Sequence, residues 1–264
     1  MADAVNGGYS QRTQWGDILQ IRLDKYLADL GTESRSGVKT WIKKGRIQVN
    51  GIVQTRPEAK VDTDTDLVCL DGRELTYYEY EYFMLNKPAG VVSASRDSHS
   101  ATVLDLVAGK TRKDLFPVGR LDRDTVGLLL ITNDGALAHC LLAPGRHVEK
   151  VYRVQLDGAV DERDQEAFRN GIDIGDDTLT LPAVLEIPDL SRPEEALVRL
   201  HEGRYHQIKR MFAARGRQVL WLQRLSMGSL VLDNTLKEGE SRRLTRMELE
   251  SLKGLTCSAQ NERK

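Results

Sequence analysis

Seven consecutive residues, VGLLLIT from Val126 to Thr132, carry no charge and stop at Asn133-Asp134-Gly135. A run this short and apolar, closed by a turn signal, reads as a buried strand. It commits the chain to building a sheet around it. Directly before the run stand four charged residues, Arg120, Asp122, Arg123 and Asp124, behind the Pro117 and Gly119 turn signal. One reading makes them ordinary turn residues feeding the strand, with their charges in solvent. The other makes them reactive groups placed at a strand entrance.

The rest of the chain supplies the elements such a sheet needs. The stretches YEYFMLNKP, VYRVQLDG, EALVRLHEG and SLVLD read as further strands, and GALAHCLLA, DERDQEAFRNG and YHQIKRMFAARG as helices. Their order includes hairpin-like spacings and is not a regular βαβ alternation, so the fold class is α+β. Upstream, Leu23, Leu27 and Leu30 recur at helical spacing before Gly31, and Val38, Trp41 and Ile42 form a second stripe before Gly45. Short strands follow, punctuated by Asn50-Gly51 and Asp71-Gly72 turns. This predicts a flexible tail over residues 1–20, a small helix–helix–sheet domain over 21–76 and a larger domain over 80–264. Tyr77, Tyr78, Tyr80 and Tyr82 fall at the join and are expected to pack rather than to stack on a ligand.

With 264 residues, 40% of them hydrophobic, the chain can bury two cores. No stretch of about 18 apolar residues occurs and the N-terminal residues lack the zones of a signal peptide, so the expectation is a cytoplasmic protein with no membrane partner. Cys69, Cys140 and Cys257 are far apart and form no CxxC pair, which predicts buried free thiols rather than a zinc site. The five histidines show no ligand spacing, and no metal is expected.

The net charge of -1 hides an uneven distribution. Arg22 to Arg46 holds seven Lys/Arg against three acids, and His201 to Arg224 holds six against Glu202 alone. Asp157 to Asp177 carries eight acids against Arg163 and Arg169, offsetting most of that surplus. One basic run is commonly a solvated helix face; two in a near-neutral chain point to a nucleic acid.

The block RLDKYLADLGTESRSGVKTWIKKGRIQVNG resembles an S4-type RNA-binding domain. Arg22, Lys25, Arg35, Lys39, Lys43 and Lys44 are its expected phosphate contacts, on the outer faces of the helix pair, with the Leu and Trp stripes turned to the sheet. VGRLDRDTVGLLLITNDG, with YFMLNKPAGVV, EKVYRV, LPAVLE and EGRYHQIKRMFAARG, resembles the pseudouridine synthases of the RsuA type, which modify small-subunit (16S) ribosomal RNA. The likeness spans roughly residues 21 to 250. It implies an S4-like domain followed by a catalytic domain with a mixed, largely antiparallel sheet flanked by helices.

The resemblance also assigns residues. The aspartate of the GRLD motif falls on Asp122, which either attacks ribose C1′ or removes the 2′ proton. Lys209 matches the family's basic active-site residue and is expected to pair with Asp122 and keep it ionised, with Arg210 as near rival. Tyr152 matches the tyrosine that stacks on the target uracil, and Ile208 and Leu222 match the apolar walls of the base pocket. Arg120 either fills the gap left by a flipped base, holds its phosphate, or pairs with Asp124. Arg204 and Arg210 extend the RNA-binding set. The isomerisation needs no cofactor, and the expected partner is ribosomal RNA, free or in an assembling particle, bound by a monomer.

Three other readings compete. Asp122-Arg-Asp124-Thr-Val126 fits the DxDx(T/V) pattern of aspartyl phosphotransferases, but there the apolar strand precedes the first Asp, whereas here it follows. A non-catalytic S4-containing assembly factor would need the basic patches but not a carboxylate backed by a lysine. The loop SASRDSHSATV and the N-terminal extension depart from the small-subunit pattern and leave a large-subunit target open; the YHQIKRMFAA block favours the small subunit.

Overall fold

A computed structural model describes residues 20–143, 146 and 148–261, with side chains as far as 255. The tail expected over residues 1–20 lies outside the described residues except for Gln20, which opens a strand. The chain divides into two compact units: one runs to Glu79 and takes in Thr111–Asp114, and the other comprises Tyr80–Lys110 and everything from Leu115 on. Residues 111–114 thus group with the first unit rather than the second. The reason is Arg112, whose almost fully buried guanidinium lies 3.3 Å from Asp29 and donates to the Tyr77 hydroxyl at 3.0 Å.

In the first unit, β1 (Gln20–Arg22) leads into α1 (Leu23–Asp29) and α2 (Arg35–Lys43). β2 (Ile47–Val49), β3 (Ile52–Val53), β4 (Lys60–Asp62), β5 (Val68–Leu70) and β6 (Arg73–Leu75) follow. β3-β2-β5-β6 form an antiparallel sheet and β1 pairs with β4. Gly31 and Gly45 end the helices at φ of +68° and +72°, a backbone region in which only glycine is free of Cβ strain. Asn50-Gly51 and Asp71-Gly72 both turn with positive φ, as two-residue hairpins require. Leu23, Leu27, Val38, Ile42 and Ile47 are fully buried together. Trp41 departs from its expected inward stripe: it is half-buried, with the Arg46 guanidinium 4.8 Å above its ring. Tyr77 packs as expected, stacked on Tyr26 at 4.9 Å.

The second unit is built on β7 (Tyr82–Lys87), β8 (Phe116–Pro117), β9 (Val126–Thr132), β10 (Lys150–Leu156) and β11 (Val184–Glu186). β12 (Glu195–Leu200), β13 (Val219–Met227), β14 (Leu230–Val231) and β15 (Ser241–Arg243) complete its sheet. The order is β11-β12-β10-β13-β9-β7-β15, with β14 on β13 and β8 on β9. Every pairing is antiparallel except β9 with β13, so the sheet is mixed and largely antiparallel. Helices α3 (Gly135–Leu142), α4 (Glu162–Asn170), α5 (Gln207–Ala214) and α6 (Arg246–Asn261) flank it.

The all-apolar character of VGLLLIT now has its cause. Successive side chains of a strand point to opposite faces, and here both faces are covered. Leu129 and Ile131 join Phe83, Leu85, Val154 and Phe212 on one side; Leu128 and Leu130 join Met84, Leu137 and Met227 on the other. Each such burial contributes about 1.5–3 kcal/mol.

Strand β13 was not legible as a strand. Its VLWLQRLSM reads with the wrong polarity, since Leu220 is exposed while Arg224 is buried. Cys69 and Cys140, expected to be buried, are half-buried: Cys69 alternates with the inward Val68 on its strand, and Cys140 lies on α3 beside the buried Leu141. The side chain of Cys257 lies outside the described residues. No described helix is long and apolar enough to cross a membrane.

Candidate active site

The charged residues ahead of β9 form a tight turn, closed by the Thr125 amide donating to the Asp122 carbonyl at 3.1 Å. Its support comes from the end of β7 and the NKPAG segment after it. Lys87 is completely buried, and its ammonium donates to the carbonyls of Pro88, Asp122 and Thr125 at 3.0, 3.0 and 2.9 Å, with that of Arg123 at 3.3 Å. Burial pushes its pKa down to about 8, and the carboxylates of Asp124 and Asp122 oppose that fall. Ser93 brackets Leu121 from both sides, its hydroxyl donating to the carbonyl at 2.8 Å and accepting from the amide at 3.1 Å. The Gly90 amide donates to the Arg123 carbonyl at 2.7 Å. The turn is therefore held through its own backbone groups by Lys87, Ser93 and Gly90, leaving the Asp122 side chain free for other work.

That side chain lines a solvent-open cleft together with Arg120, Tyr152, Ile208, Lys209 and Leu222. All six residues expected at the reacting centre or its base pocket converge here. β10 carries Tyr152, and antiparallel pairing sets it opposite Arg224 on β13, two residues from Leu222. The parallel β9–β13 contact, Gln223 beside Val126, brings the turn against Leu222. This contact is close: a Cβ on Gly127, which has φ +99°, would meet the Arg224 carbonyl oxygen at 2.3 Å.

Helix α5 supplies the cation. Ile208, Met211 and Phe212 face the core, with Phe212 against Phe168 at 5.0 Å, which turns Lys209 to the cleft. Lys209 Nζ lies 3.1 Å from Asp122 Oδ2 and 2.5 Å from Asp124 Oδ1. Burial lowers the Lys209 pKa, but the hydrogen bonds to Asp124 and Asp122 outweigh it and the net shift is upward. Asp124, hydrogen-bonded by Lys209, is held below the usual carboxylate range. The pairing expected between Lys209 and Asp122 is present, and Arg210, the rival, points elsewhere. Arg120 is exposed and pairs with neither Asp124 nor any other described residue, so of its three expected roles the ion pair is absent.

Arg204 and Arg210, grouped with the RNA-binding residues, are engaged inside the fold. Arg204 donates to the carbonyls of Thr178 and Leu179 at 2.8 and 2.7 Å and pairs with Glu202 at 3.0 Å. Arg210 holds the Ile174 carbonyl and Asp176. Arg215 and Arg217 pair with the buried Asp164, and Arg224, 2% exposed, donates to the Leu128 carbonyl at 2.7 Å. The second basic run is thus consumed largely by the acidic run and by carbonyls. In the first unit, Arg22, Lys25, Arg35, Lys39, Lys43 and Lys44 are all exposed, and of these Arg22 pairs with Asp24.

One neighbour of Asp122 escaped sequence reasoning. His206 Nε2 lies 3.5 Å from Asp122 Oδ1, and the residue sits in the left-handed region at φ 48°. No local signal marks a histidine for that conformation. Among the described residues no group of three or more His, Cys, Asp or Glu is arranged to hold a metal.

A buried-backed carboxylate, a lysine and a tyrosine around an apolar slot suit chemistry on a nucleoside, and comparison with known proteins decides the family. The family model described as RNA pseudouridylate synthase matches residues 81–214, and the S4 domain model matches 21–73. The chain belongs to the RNA pseudouridylate synthase family. It is 43% identical to an uncharacterized RNA pseudouridine synthase of Bacillus subtilis, covering 88% of this chain and 98% of that one. It is 41% identical to ribosomal small subunit pseudouridine synthase A of Vibrio cholerae, covering 88% and 99%. A crystal structure of a pseudouridylate synthase superposes with a TM-score of 0.62 at 38% identity, covering 88% and 99%. This RNA pseudouridine synthase therefore carries an S4 domain ahead of its catalytic sheet.

Proposed function

We propose that the protein converts a uridine of small-subunit ribosomal RNA to pseudouridine, with Asp122 as the catalytic carboxylate. The observation that carries this is the contact of Asp122 with Lys209 at 3.1 Å at the mouth of a slot lined by Tyr152, Ile208 and Leu222. The reaction breaks the bond from C1′ to N1 and joins C1′ to C5; N1 gains a proton and C5 loses one to solvent. Atoms balance without oxidant or leaving group. Asp122 works at the sugar, by attack at C1′ or by taking the 2′ proton. Lys209, 3.1 Å from Asp122, sets a positive charge beside the carboxylate that works at the sugar. Tyr152 stacks on the uracil between the apolar walls while the base turns.

The target nucleotide must leave its stack to reach the slot, at a cost of a few kcal/mol. Arg120, exposed at the rim and without an internal partner, is suited to occupy the gap or hold the phosphate. The exposed cations of residues 21–76 supply phosphate affinity, and residues 80–264 supply catalysis. Relatives named for the small ribosomal subunit support that target, and with it the cytoplasm as the site of action. One chain furnishes every group named, so a monomer suffices.

The test uses ribosomal RNA tritiated at uracil C5. The protein should release label to water from small-subunit RNA, and Asp122→Asn should abolish release. Undiminished release by the variant would overturn the assignment of Asp122; release from large-subunit RNA alone would overturn the target.

A further inference from the structure

Tyr205 is the most exposed aromatic side chain among the described residues, at 76%. It projects beside the cleft, one residue before His206, and one face of its ring stacks on the imidazole with centroids 3.8 Å apart and planes at 18°. The backbone beneath is not loose. The Tyr205 carbonyl accepts from Arg210 Nη1 at 3.1 Å, and the His206 carbonyl accepts from the Arg210 amide at 2.9 Å.

His206 is one of three described non-glycine residues with positive φ. Asn50 and Asp71 are the others, and both precede glycine in hairpin turns, where their short polar side chains tolerate the conformation. His206 has neither excuse. Backbone strain of this kind persists where the surroundings enforce it, and such places cluster at functional sites. What the strain achieves here is visible: it sets the imidazole between the Tyr205 ring and Asp122, 3.5 Å from Oδ1.

We propose that Tyr205, backed by His206, is a stacking platform for the unpaired base adjacent to the flipped uridine. This rests on the pseudouridine synthase reading of the same cleft and names how the flanking RNA is held. A nucleotide that flips leaves its neighbour without a stacking partner, and an aromatic face replaces that partner regardless of base identity. The free face of Tyr205 is one ring removed from the imidazole that touches Asp122. A base lying on it therefore belongs to the nucleotide next to the one whose sugar meets the carboxylate. Tyr205 is a binding residue, and His206 positions it.

The experiment uses whichever ribosomal RNA loses label to the wild-type protein in the tritium-release assay, cut to a fragment around the modified uridine. Tyr205→Ala and Tyr205→Leu should raise KM about 10-fold, with a smaller effect on kcat, and Tyr205→Phe should restore KM to within about 2-fold of wild type. An abasic nucleotide on one side of the target should raise KM for wild type and add nothing for Tyr205→Ala. 2-Aminopurine at that position should be quenched by Asp122→Asn and not by Asp122→Asn combined with Tyr205→Ala. Unchanged KM in Tyr205→Ala would overturn the proposal. So would a fall in kcat alone, equal on intact and abasic RNA, which would assign the ring to steadying His206. If wild type releases label from no ribosomal RNA, the reading of the reaction fails by itself, and quenching of 2-aminopurine in a single-stranded RNA still decides the platform.

Discussion

Lys209 touches two carboxylates at once, Asp122 at 3.1 Å and Asp124 at 2.5 Å. Without that cation the two acids would lose the partner they share, and their mutual repulsion would be offset less well. Lys209→Gln is expected to lower kcat/KM on the order of 100-fold, with Lys209→Arg recovering part of it, both read by tritium release. The Asp122–Lys209 pairing could be anticipated from motif likeness because each residue lies in a distinctive block. His206 could not: its value comes from a left-handed backbone and an 84-residue separation from Asp122, neither of which leaves a local trace.

Helix α5 delivers Lys209 only because its apolar side is anchored. Phe212 is fully buried, 5.0 Å from Phe168 of α4, and Phe212→Ala should cost about 3–5 kcal/mol by leaving a cavity there. Chemical denaturation would measure this, with activity per folded molecule falling as the helix loses its seat. The C-terminal helix α6 is tied differently. Arg242 of β15 pairs with Asp233 and with Glu248, both at 2.7 Å. Hydrogen bonding from Arg242 pulls the Glu248 carboxyl from its ordinary 4.5 down to about 2. A depressed carboxylate stabilises the fold above its unfolded pKa and loses that contribution as pH falls through the folded one. Thermal melts should therefore show wild type losing stability between pH 4.5 and 2. Arg242→Met, less stable at neutral pH, should show a shallower acid limb over the same interval. Strong periodicity made α5 legible in advance, whereas β13 was hidden because a buried arginine and an exposed leucine inverted its pattern.

At the scale of the whole molecule, charge is divided between the two units by use. The first unit leaves Lys25, Arg35, Lys39, Lys43 and Lys44 in solvent without an ion pair, and the second ties most of its arginines to its own acids and carbonyls. RNA affinity should accordingly fall steeply with salt, and each of Lys39→Ala, Lys43→Ala and Lys44→Ala that removes a phosphate contact should reduce the slope of log K against log[salt] by about 1. Filter binding over a salt series checks this. An equal slope in the triple variant would move the affinity elsewhere. Reading the two basic runs as equivalent patches was natural from charge counts, which do not say whether an arginine meets solvent or a neighbour.

What the amino-acid sequence determined by itself was everything set by near neighbours: the buried strand Val126–Thr132, the helices ended by Gly31 and Gly45, the two hairpin turns, and the family blocks that mark Asp122, Tyr152 and Lys209. Periodicity and turn chemistry act over a few residues, so they survive in the linear text. What only the tertiary structure decided was how distant groups are spent. Lys87 reaches the turn carbonyls from 35 residues away, Lys209 reaches Asp124 from 85, and the acidic run absorbs Arg210, Arg215 and Arg217. A polar group's role depends on whether burial and partners neutralise it, and those are properties of approach in space rather than of order along the chain.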